Sequence, residues 1–437
     1  MSIPAPQTVS FTTLGCRLNQ AESDSMAEQL AGRGLATTRP DEDPDIVVIN
    51  TCTVTREATK ASRSAIRRAI KNNPGARVVV VGCYAVSNPE EVEAIDGVDT
   101  LVGNDDKERF ADALGLGPQV PLLQIGLRHS IPAPAVRIRA NLKAQTGCDE
   151  WCSFCIIPKT RGPLRSMDED SLIDEARSRV ATGAREIVLM GVHLGKYSYD
   201  SGGDEASLVR LFTRLLNIEG LWRLRLSSIL SRHLTDELIA YMASEPRICR
   251  YLHVPLQSGD DGVLASMNRP YRIDDYIASV EAAQSSLPGL ALATDVIVGY
   301  PAETDDAFEQ TMDVVRRLRF SKLHVFRYSA RPDTAAAEMV DAVHPDVKKA
   351  RSKRLIDVGN RIRSEFLKEH TTRPLEVLVE DERMVDGISV CSGQTDDYVR
   401  VWFEGADLLG SVVQVQGGEV RSDGIRNCRL VEVLRRR

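Results

Sequence analysis

Short apolar runs at 9–14, 46–49, 77–81 and 98–102 alternate with longer stretches at 19–31, 55–71, 88–95 and 105–114. The short runs read as buried strands and the longer stretches as helices. Their β-α-β-α order predicts a small doubly wound parallel sheet over residues 7–115. Residues 116–134 hold Gly117, Pro118, Pro121, Pro132 and Pro134 and read as a linker. Six more strands are predicted at 136–142, 186–190, 222–226, 251–254, 290–298 and 322–326, with helices between them. This series predicts a partial (β/α)6 barrel over 135–370. It ends in a long basic helical stretch from His344-Pro345, with Val347, Leu355, Val358, Ile362 and Phe366 along an apolar side. From 371 the period shortens to two, and glycines separate strands predicted at 375–379, 398–403, 411–415 and 430–433. A small all-β, OB-like barrel over 371–437 is the expectation. The fold class is therefore α/β with a small all-β barrel at the carboxyl end.

Composition narrows the setting. The chain has 437 residues, of which 43% are hydrophobic and 27% charged, enough for large cores. No apolar run is long enough to span a bilayer, and the first residues lack the basic region and apolar core of a signal peptide. A cytoplasmic, reducing location is expected, with no membrane partner. The nine cysteines then read as metal ligands or buried thiols, not disulfides. Net charge is −7, so any nucleic-acid contact has to come from local basic surfaces.

The cysteines carry the chemistry. Cys148, Cys152 and Cys155 stand at C-x3-C-x2-C spacing with no fourth Cys or His close behind. Structural zinc usually takes four protein ligands, whereas three close thiolates suit an iron–sulfur cube with one free iron. A partial zinc site or three unrelated thiols is the alternative. Cys16, Cys52 and Cys83 each follow a different predicted strand, at the sheet edge where open α/β sheets bind ligands. They read either as a second three-cysteine cluster, approached closely through Gly15 and Gly82, or as three buried thiols. Cys249, Cys391 and Cys428 read as ordinary thiols. Arg56, Lys60, Arg63, Arg67 and Lys71 share one helix face, either a phosphate-contacting stripe or a solvated surface. In the barrel, small and polar residues follow the strands: Gly191 and His193, Ser228, Gln257, and Gly299. At that face they can admit and orient a cofactor. His193 has a structural alternative as a hydrogen-bonded loop residue, and His253, inside a strand, reads as core.

The Cys148–Cys155 loop, with Phe154 before its last cysteine, resembles that of the radical S-adenosylmethionine enzymes. Thr13-Leu14-Gly15-Cys16-Arg17-Leu18-Asn19-Gln20, Asn50-Thr51-Cys52-Thr53-Val54-Thr55 and Gly82-Cys83 resemble the amino-terminal domain of methylthiotransferases. Cys155-Ile156-Ile157-Pro158-Lys159-Thr160-Arg161-Gly162, Leu256-Gln257-Ser258-Gly259, Met267-Asn268-Arg269 and Arg327-Tyr328-Ser329-Ala330-Arg331 also look like segments of that family. The chain departs at Ala302 and Asp333, where glycine is frequent. The resemblance implies two [4Fe–4S] clusters, one on Cys148, Cys152 and Cys155 and an auxiliary one on Cys16, Cys52 and Cys83. It implies S-adenosyl-L-methionine lined by Phe154, Gly191, His193, Ser228, Gln257 and Ile297. No catalytic side chain beyond the cluster ligands is implied.

By position, the last domain resembles the RNA-binding TRAM barrel, with Tyr398, Trp402 and Phe403 either stacking bases or filling the core. That segment has nine Arg against twelve Asp and Glu, which weakens a charge argument for RNA. The expected activity is transfer of a methylthio group to C2 of N6-threonylcarbamoyladenosine, 3′ of the anticodon in tRNA. The expected RNA contacts are Arg56, Lys60, Arg63, Arg67 and Trp402. An electron donor such as flavodoxin or ferredoxin and a sulfur source are expected partners. The alternatives are a methylthiotransferase on isopentenyladenosine tRNA or on a ribosomal protein. A different class, an RNA-binding protein with structural or redox-sensing clusters, also stays open.

Overall fold

The computed structural model describes residues 7–116 and 137–436. The expected linker, apart from Leu116, and Val136 of the first expected barrel strand lie outside the described residues. Five parallel strands form the first sheet: β1 (Thr8–Thr13), β2 (Ala36–Thr37), β3 (Ile46–Thr51), β4 (Arg77–Gly82) and β5 (Thr100–Val102). Their order is β2-β1-β3-β4-β5, so the winding reverses between β1 and β3. Alternate residues of β4 face opposite ways. Val79 and Val81 pack with Met26 and Leu30 of the helix Arg17–Ala31. Val78 and Val80 pack with Ile66 of the helix Arg56–Asn72 on the other side. The sheet is covered on both faces, as its near-continuous apolar strands require.

The helix expected at 88–95 is present as Pro89–Glu93, and a further short helix, Cys83–Ser87, precedes it. Pro89 has no N–H and opens the second of them, which separates the two. The stretch at 105–114 divides into a 3-10 turn, Asp105–Arg109, and the helix Phe110–Ala113.

The second domain comprises β6 (Arg139–Lys143), a short hairpin β7 (Gln145–Thr146) and β8 (Arg165–Ser166), then β9 (Glu186–Met190), β10 (Arg223–Leu226), β11 (Tyr251–His253), β12 (Ala291–Val298) and β13 (Lys322–Arg327). Two parallel three-stranded sheets, β6-β9-β10 and β11-β12-β13, are joined by parallel bridges Leu224↔Ile248 and Ser228↔His253. The result is a six-stranded open barrel in chain order. Its helices pack outside, through residues such as Leu211, Phe212 and Leu215. Between β6 and β13 the barrel does not close. The helix Arg17–Ala31 runs beside β6, and its Leu18 packs with Val188 and Met190 of β9.

The third domain has six strands: β14 (Leu375–Val385), β15 (Ile388–Gln394), β16 (Arg400–Glu404), β17 (Val412–Gln416), β18 (Glu419–Arg421) and β19 (Gly424–Arg435). Pairing of β16 with β19 closes five of them into a barrel. The sequence pattern shows four. It misses β15 because Ile-Ser-Val-Cys-Ser-Gly-Gln has weak alternation, and the β14–β15 turn is formed by Asp386 and Gly387, both at positive φ. That two-residue turn geometry suits the twist of a hairpin.

This small barrel closes the amino end of the large one. Arg225 is fully buried there; it donates to Glu186 Oε1 at 2.7 Å and to the carbonyls of Asp396 at 2.7 Å and Thr395 at 3.1 Å. Arg223 donates to the Gln394 carbonyl at 3.0 Å. Tyr398 packs on Tyr251 with ring centroids 4.5 Å apart.

Candidate active site

Cys148, Cys152 and Cys155 lie at the open, carboxyl end of the barrel, on the loop between β7 and the helix Ile157–Arg161. The loop is held from several sides. Ser153 donates its N–H to the Met267 carbonyl at 3.0 Å and accepts at its own carbonyl from Ala336 N–H at 2.7 Å. Its hydroxyl meets the Tyr300 hydroxyl at 2.8 Å. Only glycine fits at 147, where a Cβ would stand 1.7 Å from the Pro163 carbonyl oxygen.

Donors already point at the sulfurs. Glu150 N–H is 3.4 Å from Cys148 Sγ and Arg269 Nη1 is 3.2 Å from Cys152 Sγ. Burial pushes the Cys148 thiol up to about 11 and that of Cys155 to about 12. Without a metal these groups keep their protons, and metal binding displaces them. Three close cysteines, Cys152 buried and Cys148 and Cys155 half-buried, with N–H and guanidinium donors aimed at two of their sulfurs, fit the first cluster.

The six residues expected to line the cofactor fall into three groups. Phe154 and Ile297 join one apolar wall with Met267, Tyr300 and Tyr328. Gly191 and His193 stand on Gln145: a Cβ at 191 would be 3.1 Å from Gln145 Oε1, and His193 N–H donates to that atom at 2.7 Å. The His193 ring is buried, 3.2 Å from His233 Nε2 and 3.4 Å from Asp149 Oδ1, and burial pushes it down to about 4. Gln257, at φ +65°, donates its N–H to the Asp295 carbonyl at 2.8 Å. Ser228 Oγ is 3.0 Å from His253 Nδ1, whose other nitrogen is 3.1 Å from Asp295 Oδ1. His253 is thus not core. It stands half-buried in a polar chain on the inner wall of the barrel, and strand alternation alone could not say which wall was wet.

Cys16 caps the helix Arg17–Ala31, Cys52 follows β3, and Cys83 opens the helix after β4. Cys16 and Cys52 flank the point where the sheet order reverses, the usual ligand crevice of such sheets. Burial pushes the Cys52 thiol up to about 11, and the neighbouring Cys83 and Cys16 sulfurs add to the effect. Gly15, at φ +91°, lets the chain pass over Cys52: a Cβ there would be 2.6 Å from Cys52 Cβ and 2.8 Å from its Sγ. Gly82 has a different task from the one expected. Its missing Cβ would strike the Thr51 carbonyl at 2.5 Å, so it permits strand packing, not approach to a cluster.

The two thiol sets are tied together by residues to which the sequence pattern assigns no role, although Asn19, Arg161 and Arg331 stand in segments that resemble the family. The helix Ile157–Arg161 begins two residues after Cys155 and ends in Arg161, which enters the first domain. Arg161 donates to Glu22 Oε1 and Asn19 Oδ1, both at 2.6 Å, and Lys107 Nζ meets Glu22 Oε2 at 2.7 Å. Burial alone would raise the Glu22 carboxyl, but Lys107 and Arg161 hold it well below the usual carboxylate range. Next to Arg161, Asn104 Nδ2 donates to the Thr160 carbonyl at 2.6 Å and lies 4.0 Å from Cys83 Sγ. A second clasp is Arg331, which donates to the Val54 carbonyl at 3.2 Å and to Thr59 Oγ1 at 3.1 Å. Beside it Asp333 holds φ +64°, the left-handed conformation that explains why glycine is frequent there.

A cleft of about 610 Å³ lies over this junction, lined by Arg56, Lys60, Arg63 and Arg67 on one side and by 330–333 on the other. Arg63 is paired with Glu91 at 2.7 Å; Arg56, Lys60 and Arg67 are exposed and make no ion pair among the described residues. The aromatic residues of the small barrel are less open. Phe403 fills its core, Tyr398 stands under the large barrel, and Trp402 is 9% exposed with the Arg426 guanidinium 4.4 Å from its ring centre. Base stacking on Trp402 would require Arg426 to move aside.

Residues 8–103 match the family described as Uncharacterized protein family UPF0004, and residues 142–315 match the Radical SAM superfamily. The Threonylcarbamoyladenosine tRNA methylthiotransferase MtaB of Bacillus subtilis (strain 168) is 37% identical, over 94% of this chain and 93% of its own length. The chain belongs to the tRNA methylthiotransferase family. The MtaB of Thermotoga maritima is 33% identical over 97% of both chains. A tRNA-2-methylthio-N(6)-dimethylallyladenosine synthase of Endomicrobium trichonymphae is 30% identical over 94% of this chain and 97% of its own. Among solved structures, the radical S-adenosylmethionine methyltransferase TsrM from Kitasatospora setae superposes with a TM-score of 0.56 at 14% identity, covering 76% of this chain and 74% of that one. That likeness concerns the fold alone. This methylthiotransferase is a radical S-adenosylmethionine transferase acting on tRNA, with S-adenosylmethionine and two [4Fe–4S] clusters as cofactors. Among the described residues no helix is long and apolar enough to cross a membrane.

Proposed function

We propose that this enzyme adds a methylthio group to C2 of N6-threonylcarbamoyladenosine in tRNA, with Cys148, Cys152 and Cys155 holding the radical cluster and Cys16, Cys52 and Cys83 the auxiliary one. The supporting observation is the single short helix that joins the two thiol sets across one junction, with Arg161 buried between them. When bound, the cofactors supply hydrogen abstraction at an unactivated C–H bond and the sulfur that replaces it.

The chain's own residues prepare the place. The Ser153 and Gly147 contacts fix the first loop, Phe154 and Ile297 give the cofactor's adenine an apolar wall, and Ser228, Gln257, Gly191 and His193 offer polar and small positions around it. Arg56, Lys60, Arg63 and Arg67 line the cleft where a phosphate backbone would run. The carboxyl-terminal barrel is read as a TRAM domain and the domain limits as 7–115, 135–370 and 371–437. A flavodoxin or ferredoxin as electron donor and a separate sulfur source complete the scheme. A tRNA substrate and oxygen-sensitive clusters fit a cytoplasmic enzyme.

The relative that acts on dimethylallyladenosine favours a second reading, an isopentenyladenosine substrate. Nucleoside mass spectrometry of tRNA from a deletion strain separates the two. Loss of the methylthio group from threonylcarbamoyladenosine alone is expected; loss from isopentenyladenosine would replace this reading with the second. In the reconstituted enzyme, Cys152→Ala abolishes cleavage of S-adenosylmethionine to 5′-deoxyadenosine. Unchanged cleavage in that variant would point to a structural or redox-sensing cluster in an RNA-binding protein.

A further inference from the structure

The two candidate substrates share an adenine and differ in the arm on N6. One arm ends in a carboxylate and the other is a hydrocarbon. A desolvated carboxylate needs a cation with no other partner.

Most cations around the large barrel are already engaged. Arg161 is paired with Glu22, Arg225 with Glu186, Lys143 and Arg165 with Glu108, and Lys196 with Asp149. Arg269 is turned to Cys152 and Tyr271. Two cations, Lys322 at the amino end of β13 and Arg17, whose guanidinium reaches in to Tyr398, make no ion pair among the described residues. They come together around Tyr398: Lys322 pairs with Ala293 across β12 and β13, and Ala293 packs with Tyr398. The charge of Arg17 adds to burial in pulling Lys322 and His324 down. The Arg17 guanidinium rests 4.8 Å from the centre of the Tyr398 ring, whose buried hydroxyl has no hydrogen-bond partner among the described residues. Asp295, on the same inner wall, has its Oδ1 3.1 Å from His253 Nε2. On the same inward row of β13 as Lys322 and His324, Phe326 stands 41% exposed, an apolar surface of the kind a base ring can rest on.

Position decides between this and other placements. In adenine, C2 and the N6 arm both flank N1, so the arm leaves from the same edge as the reacting carbon. Whatever reads the arm must adjoin the place from which sulfur is delivered. Arg17 is the residue after Cys16.

We propose that Arg17, with Lys322 beside it, binds the carboxylate of the threonylcarbamoyl arm and so selects this adenosine over one with a hydrocarbon arm. The proposal rests on the substrate reading above. A phosphate of the RNA backbone is the other anion these cations could meet.

Equilibrium binding of the reconstituted holoenzyme to anticodon stem-loop RNA distinguishes the cases. Three RNAs are compared by fluorescence anisotropy: one with threonylcarbamoyladenosine, one with its methyl ester, and one with isopentenyladenosine. The wild type is expected to bind the free acid about tenfold to a hundredfold tighter than the ester, the range of one charge-assisted hydrogen-bonded contact. Arg17→Gln is expected to bind acid and ester alike, Arg17→Lys to regain part of the difference, and Lys322→Gln to lose part of it. Equal weakening of all three RNAs by Arg17→Gln would assign the cation to a phosphate and overturn the proposal, as would an unchanged acid-to-ester ratio. If Arg17→Gln loses iron, Lys322→Gln, distant in sequence from every cluster cysteine, decides by the same ratio. Failure of the wild type to make methylthio product on the first RNA overturns the substrate reading itself. Product formation together with an undiminished ratio in both variants overturns only the role of Arg17 and Lys322.

Discussion

A single methyl group at position 15 should separate the two thiol sets functionally. Gly15→Ala places a Cβ 2.6 Å from that of Cys52 at a φ of +91°, so the backbone must shift. The expected outcome is loss of about four iron atoms per chain, the content of one cube, with S-adenosylmethionine cleavage retained and methylthio product lost. Iron analysis beside the two product assays checks this. Arg269 offers a second test at the same scale. It brings a positive charge and an N–H donor to 3.2 Å from Cys152 Sγ, and both stabilise the reduced cluster. Arg269→Met is expected to make the reduction potential of the radical cluster more negative, by an amount an EPR-monitored redox titration reads directly. An unchanged potential would mean that the arginine serves the fold alone. Cys148, Cys152 and Cys155 stand out in the sequence because their type and spacing are rare without a metal, whereas Cys16, Cys52 and Cys83 stand out only by their place after strands. Arg269 and Arg161 stand in segments that resemble the family, but their roles, like that of Glu22, could not be read, since a lone charged residue has no spacing to betray its partner. Asp295 and His253 were hidden for another reason: alternation gives two faces to a strand but does not say that the barrel's inner face is polar.

Among the elements, the helix Ile157–Arg161 bears most on function. It has five residues and would not hold alone in water, so its order derives from the Arg161–Glu22–Lys107 cluster at its end and the cysteine loop at its start. Removing one partner from a buried ionic cluster leaves the others uncompensated, at a cost of about 3–5 kcal/mol. Glu22→Gln should therefore lower the denaturation midpoint at neutral pH by a corresponding amount. The sign with pH follows from the carboxyl's depressed value. The stabilisation is present above the unfolded-state pKa of about 4.3 and is lost as pH falls from there through the folded value. Thermal melts between neutral and acid pH should thus drop more steeply in the wild type than in Glu22→Gln; parallel curves would remove Glu22 from the account. At this scale the sequence was informative wherever burial is two-sided. The runs 46–49, 77–81 and 186–190 are all apolar or nearly so and fall within strands of the observed sheets. The small barrel was half legible because one face of β14 beyond Val379 is solvent-exposed, with Asp381, Glu382 and Arg383 giving no apolar signal.

Across the whole molecule, the three parts are not beads on a string. The small barrel supplies backbone carbonyls to Arg223 and Arg225, and a guanidinium that loses such acceptors stays buried and unsatisfied. The second and third domains are therefore expected to unfold in one calorimetric transition, and Arg225→Met, by cutting both the Glu186 pair and the carbonyl contacts, to split it in two. A single unsplit transition in that variant would place the coupling elsewhere, for example at Tyr251 and Tyr398. The same arrangement explains why 371–437 can be acidic overall and still serve an RNA enzyme: much of its contact is with the barrel, and the exposed cations of the cleft belong to the first domain.

The small barrel's position has a kinetic consequence. With its amino end stoppered by Tyr398 and the helix Arg17–Ala31 lying along β6, the large barrel is a cup, not a pipe. A cup fills and empties by one mouth. The small cofactor has to go in first, the RNA follows as its cover, and the spent fragments leave only after the cover lifts. Steady-state kinetics should accordingly show compulsory order, with 5′-deoxyadenosine released last and trapped longest when the RNA is in excess.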